Sequence, residues 1–155
     1  MQILVEKKDL ASVGSRVREA NVRTILIAED QDDVREMMRI FLEGEGYNVV
    51  EAENGRDAID VAQESEPDLI LIDLNMPELD GMSAVREIRR FESLQNVPVI
   101  ANSASGTYGM SFFDDIESLG TGYIEYVPKP FDFDYLIDLI NSLLHSCRKA
   151  ENKPI

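Results

Sequence analysis

The chain has no tryptophan, one cysteine, one histidine and half as many basic residues as acidic ones. Each scarcity closes a class of function. Cys147 has no second cysteine to pair with inside the chain, and its neighbours Arg148 and Lys149 offer no metal cluster. With 15 Lys and Arg against 30 Asp and Glu, the net charge of −15 argues against binding nucleic acid by phosphate neutralisation. No apolar run approaches the ~18 residues of a membrane span, and Met1 opens no basic-then-apolar leader. A cytoplasmic protein is expected. What is present suffices for one domain: 155 residues, 44% of them hydrophobic.

The charge is uneven. Residues 1–23 carry +2 and the remainder −17. In residues 1–22, Leu10, Val13 and Val17 have helical spacing that Gly14 and Ser15 interrupt, which reads as an amino-terminal arm, partly helical or disordered. Residues 23–148 form the domain proper, and residues 149–155 form a tail.

Thr24-Ile25-Leu26-Ile27-Ala28 is apolar without alternation, the pattern of a strand buried on both faces of a parallel sheet. It runs into Glu29, Asp30, Asp32 and Asp33. Val34, Met37, Met38, Phe41 and Leu42 then follow helical spacing, with Asp32 or Asp33 as the expected cap and Gly44 and Gly46 as the stop. A strand over 47–52, a helix entered at Asn54-Gly55, and the strand Leu69-Ile70-Leu71-Ile72-Asp73 follow. A helix with Val85 and Ile88 leads to a fourth strand from Val97. A glycine- and serine-containing loop over 105–111 precedes a helix with Phe112, Ile116 and Leu119. Residues 123–127 make the fifth strand, and a helix bearing Leu136, Ile140 and Leu144 runs to about Cys147. Five strands alternating with five helices predict an α/β fold, a five-stranded parallel sheet, doubly wound, with helices on both faces.

In such a sheet the chemistry sits beyond the carboxyl ends of the strands. A lone strand-end aspartate most often caps a turn, but here several groups converge on one edge. Strand one ends in Glu29 and Asp30, strand three in Asp73, strand four in Ser103 and strand five in Lys129. Carboxylates about 5 Å apart repel by roughly 3 kcal/mol per pair at an effective dielectric of 20. Such a cluster requires cations. Lys129 is one, and a hard divalent ion such as Mg²⁺ is the other. An aspartate so placed is set up to attack phosphorus.

The sequence closely resembles the receiver domain of bacterial two-component response regulators over about residues 24–147. The resemblance rests on Glu29-Asp30, on Asp73-x-Asn75-Met76-Pro77-x-x-Asp80-Gly81, on Ser103-Ala104 and on Lys129-Pro130-Phe131. It implies a flavodoxin-like fold, Asp73 as phosphoacceptor, and Mg²⁺ arranged by Glu29, Asp30, Asp73 and the carbonyl of Asn75. It further implies that Ser103 and Lys129 contact the phosphoryl group, that Tyr126 is a switch aromatic partnered with Ser103, and that the Lys129–Pro130 bond is cis. The implied function is a stand-alone signalling module, with only self-phosphorylation and autodephosphorylation as catalysis. Its implied partners are a sensor histidine kinase or histidine phosphotransfer protein and a downstream protein target, with homodimerisation left open and neither nucleic acid nor a membrane span involved. His145, away from the acidic edge, is read as neither phosphodonor nor ligand. Three features depart from the family: Glu-Asp where Asp-Asp is commoner, a longer link from Ser103 to Lys129, and the arm. The competing reading is a Mg²⁺-dependent phosphohydrolase with an aspartyl nucleophile, which commonly has a second acid where Asn75 stands.

Overall fold

The structure, a computed structural model, describes residues 22–104 and 123–151, with backbone alone for 147–151. The expected arm, the 105–111 loop and the helix with Phe112, Ile116 and Leu119 lie outside the described residues. Five strands, β1 (Thr24–Ala28), β2 (Asn48–Ala52), β3 (Leu69–Asp73), β4 (Val99–Ser103) and β5 (Ile124–Pro128), form one sheet in the order β2-β1-β3-β4-β5. Every pairing is parallel. Between them lie α1 (Asp32–Gly44), α2 (Gly55–Ser65), α3 (Gly81–Ile88) and a 3-10 turn (Glu92–Leu94), and α4 (Phe133–Glu151) follows β5, running past Cys147.

Alternate strand residues feed two cores. Leu26, Ala28, Ile70, Ile72, Val99 and Ala101 pack with Ala58 and Ala62 of α2 and Ala84, Val85 and Ile88 of α3. Ile25, Ile27, Leu69, Leu71, Ile100 and Val127 pack with Met38 and Leu42 of α1 and Leu136 and Ile140 of α4. The unbroken apolar runs are thus explained: both faces of the sheet are covered.

Three local expectations are corrected. The N-cap of α1 is Gln31, without a side-chain cap bond, while Asp32 and Asp33 lie in the first turn, where their charge suits the helix dipole. Met37 is 47% exposed. Arg35, three residues before Met38 and seven before Leu42, takes the inner face instead. Strand four begins at Val99 rather than Val97, because Pro98 has no N–H for the ladder and serves only as acceptor for Ile70 N, 3.0 Å away.

The loop after β3 is held tightly. Asp80 caps α3, its Oδ1 accepting from Ser83 N at 2.9 Å. Glu78 has φ +69° and lies between Pro77, whose carbonyl accepts, and Leu79, whose N–H donates at 2.8 Å. This is a γ-turn of the strained, positive-φ kind. A Cβ on Gly55 would meet Leu79 O at 2.2 Å, and one on Gly81 would meet Asp73 O at 2.4 Å. Glycine at both positions lets α2 and α3 close on the loop from two sides.

Candidate functional site

The strand register brings four of the chemistry-bearing residues to one edge. Ala28 is level with Ile72, and Asp73 with Asn102, so Glu29, one residue past β1, stands in the row of Asp73. Lys129 follows β5, its backbone N–H donating to Ser103 O at 3.1 Å. Its side chain reaches back across β4, and Nζ donates to Glu29 Oε1 at 2.5 Å and to Asp73 Oδ2 at 3.1 Å. The Lys129–Pro130 bond is cis, as the resemblance implies.

Glu29 is 1% exposed, whereas Asp30 is exposed. Burial pushes the Glu29 carboxyl up to about 7, with the adjacent Asp73 adding to the shift and Lys129 opposing it. Burial alone would lower Lys129. Its bonds to the two carboxylates prevail and raise it above the ordinary lysine value. Both shifts express one crowding: two buried carboxylates share a single ammonium.

Carboxylate oxygens of Glu29, Asp30 and Asp73 lie within 4.8 Å of one another. Glu29 Oε2 is buried without a hydrogen-bond partner among the described residues. Three hard oxygen groups, two net negative charges after counting Lys129, and one orphaned oxygen fit a small divalent cation such as Mg²⁺.

Asn75 does more than the sequence suggests. Its backbone N–H donates to Asp73 Oδ1 at 2.9 Å, and its Nδ2 donates to Ser103 Oγ at 2.7 Å. Ser103 is thereby linked to the loop that follows Asp73. Tyr126, half-buried, packs on the core shared with α2 and α3, and its hydroxyl lies 3.5 Å from Ser103 O. Seven expected site residues (Glu29, Asp30, Asp73, Asn75, Ser103, Tyr126 and Lys129) therefore meet at one end of the sheet. Two further polar residues escape notice in the sequence. Arg35 is buried behind Glu29, and the only signal was a cation in register with Met38 and Leu42 on an otherwise apolar face. Asn102 is buried beside Asp73 with both side-chain amide atoms unpartnered among the described residues, marked in the sequence only by a polar residue inside a buried strand.

A doubly wound parallel sheet with a lysine-bridged acidic cluster at its carboxyl edge is an α/β domain whose polar groups gather where such folds place their sites. The response regulator receiver domain family matches residues 25–141, and the chain belongs to that family. It is 35% identical over 122 residues to the chemotaxis protein CheY of Bacillus subtilis, covering 78% of this chain and 97% of that protein. It is 36% identical over 115 residues to the regulatory protein AtoC of Escherichia coli, covering 74% of this chain but only 24% of AtoC. Among solved structures, the receiver domain of a sensor histidine kinase from Pseudomonas aeruginosa has a TM-score of 0.69 and 33% identity. The match covers 80% of this chain and 98% of that one, which has a magnesium ion coordinated in its active-site cleft.

Proposed function

We propose that this receiver takes a phosphoryl group from a phosphohistidine, on a sensor histidine kinase or a histidine phosphotransfer protein, onto Asp73. The observation that carries the reading is the Lys129 ammonium spanning Glu29 and Asp73 at 2.5 and 3.1 Å. A cation already resting on the nucleophile's oxygen is placed to follow the charge as it moves to the phosphoryl oxygens. In the transfer, a carboxylate oxygen of Asp73 forms the new P–O bond, the P–N bond breaks, and the imidazole leaves with its electron pair. Asn75 N–H, on Oδ1, fixes the carboxylate's rotation. Ser103 Oγ, now accepting from Asn75 Nδ2, turns its proton toward a phosphoryl oxygen. Glu29, Asp30, Asp73 and the Asn75 carbonyl are the groups to hold Mg²⁺, which when bound offsets negative charge on the transferring oxygens.

Output is by protein–protein contact in the cytoplasm. Movement of Ser103 toward the phosphoryl group draws on its link to Tyr126, whose ring then resettles against the core. Shifting a two-state element from 1:99 to 99:1 takes about 5.5 kcal/mol. A charge-assisted hydroxyl bond supplies only about 1.5–3 kcal/mol, so Lys129 contributes to the switch as well. Loss of the phosphoryl group is by hydrolysis at the same site.

The test is labelling with radioactive acetyl phosphate and Mg²⁺. The parent protein should take up label, and Asp73→Asn should take up none while unfolding at a similar temperature. Equal label on the variant would move the acceptor elsewhere.

A further inference from the structure

Arg35 lies on the inner face of α1 with 9% of its surface exposed. Its Nη1 donates to the main-chain oxygen of Glu29 at 2.8 Å, and its Nη2 to Asp32 Oδ1 at 2.7 Å. Nε lies 3.5 Å from Glu51 Oε1, and Nη2 lies 3.8 Å from Glu53 Oε1. One fork therefore ties the end of β1 to the first turn of α1 and to the end of β2. The preceding peptide plane is held as well, because Glu29 N–H donates to Ala52 O at 3.1 Å.

A carbonyl held in place fixes more than itself. The Glu29 carbonyl shares a rigid plane with the nitrogen and Cα of Asp30. Whatever orients that oxygen orients the peptide joining the two acids, and so sets where the Asp30 Cα, from which its carboxylate branches, stands relative to Glu29 and Asp73. We propose that Arg35 is the positioning residue of the acidic site, holding the Glu29–Asp30 peptide so that its two carboxylates converge with Asp73 on one cation. It touches neither the reacting atoms nor the cation. The simpler role, neutralising Asp32, Glu51 and Glu53, needs only a positive charge. Positioning needs a fork that reaches the Glu29 carbonyl and Asp32 together, which the single ammonium of lysine does not provide.

The consequence for the cation rests on the function proposed above, but the consequence for the loop does not. Arg35→Lys and Arg35→Met are compared with the parent by amide spectra, first without metal and then through a Mg²⁺ titration, at a temperature where thermal unfolding shows them folded. Without metal, both variants should shift the amides from Glu29 to Asp32. With Mg²⁺, both should bind about 10- to 100-fold more weakly, the usual cost of losing a group that orients metal ligands. Should Arg35→Met fail to fold, Arg35→Lys decides alone. Unmoved amides in metal-free Arg35→Lys, or Mg²⁺ affinity within twofold of the parent in that variant, overturns the proposal and leaves Arg35 a simple counter-charge. A parent protein that binds no Mg²⁺ overturns the function reading instead, and the metal-free amide shifts then judge Arg35.

Discussion

Lys129 and Arg89 are both cations drawn out of water, and they respond in opposite ways. The Lys129 side chain, 16% exposed, is raised above its ordinary pKa. Arg89, the C-cap of α3, is 6% exposed and pushed down by burial to about 10. Burial by itself would lower both, so the opposite sign is set by partners. Lys129 has two carboxylates within 3.1 Å. Among the described residues Arg89 has one carbonyl, Leu94 O at 2.9 Å, and its Nε and Nη2 have no hydrogen-bond partner. One cation balances an excess of opposite charge at the sheet's carboxyl edge. The other serves the carboxyl end of a helix, where its charge suits the dipole. Burial alone therefore does not set the direction in which a cation's pKa moves; the charge of its partners does.

Removing each cation in turn is the sharpest way to break this contrast. Lys129→Met leaves Glu29 and Asp73 without their ammonium. Urea unfolding of the metal-free variant should show a loss of about 3–5 kcal/mol, the usual result of taking one partner from a buried pair, and Mg²⁺ should recover much of it. A loss below about 1 kcal/mol would mean that the carboxylates already share a proton and do not depend on Lys129.

The next largest effect is a pH dependence. Glu29 has a folded pKa of about 7 against an ordinary 4.5. With the folded value raised, the stabilising contribution is complete below about 4.5 and is lost as pH rises through 7. Between those limits the folded chain binds more protons than the unfolded chain, so metal-free stability falls with pH, by at most on the order of 3 kcal/mol. Unfolding curves from pH 4.5 to 8 should show this slope in the parent and lose it in Glu29→Gln. A slope retained in Glu29→Gln would assign the proton to another group.

Arg89→Met should matter least. It gives up one hydrogen bond and frees two unpartnered buried donors, whose desolvation costs roughly 1–3 kcal/mol. Stability should stay within about 1 kcal/mol of the parent or rise. A larger loss would show that Arg89 is a structural cation of the same weight as Lys129.

The fold was legible because its signals are local and redundant. Unalternated runs such as Leu69-Ile70-Leu71-Ile72 read as buried strands, and their parallel pairing follows from the helices between them. The converging edge was legible because β3 and β4 end on Asp73 and Ser103, while Glu29 and Lys129 directly follow β1 and β5. What stayed hidden depends on three dimensions. Nothing in the adjacency of Glu29 and Asp30 says that the first is buried against Lys129 and the second exposed. Apolar periodicity admitted Met37 to the inner face of α1 and passed over Arg35, because a stripe count scores the guanidinium and not the methylenes beneath it. The bond from Asn75 to Ser103 joins residues 28 apart in the chain, and only the β3–β4 register brings them together.

Gly81 carries a consequence best put in genetic terms. Its missing Cβ leaves room for Asp73 O, which an added methyl would meet at 2.4 Å, and Gly55 gives the same room to Leu79 O at 2.2 Å. Every missense change available to a glycine codon by one base adds at least a Cβ. At these two sites, therefore, no single-base missense mutation is silent in structure. Each one pushes on Asp73 O or on the loop that follows it, so variation there reaches the acidic edge without replacing any of its residues.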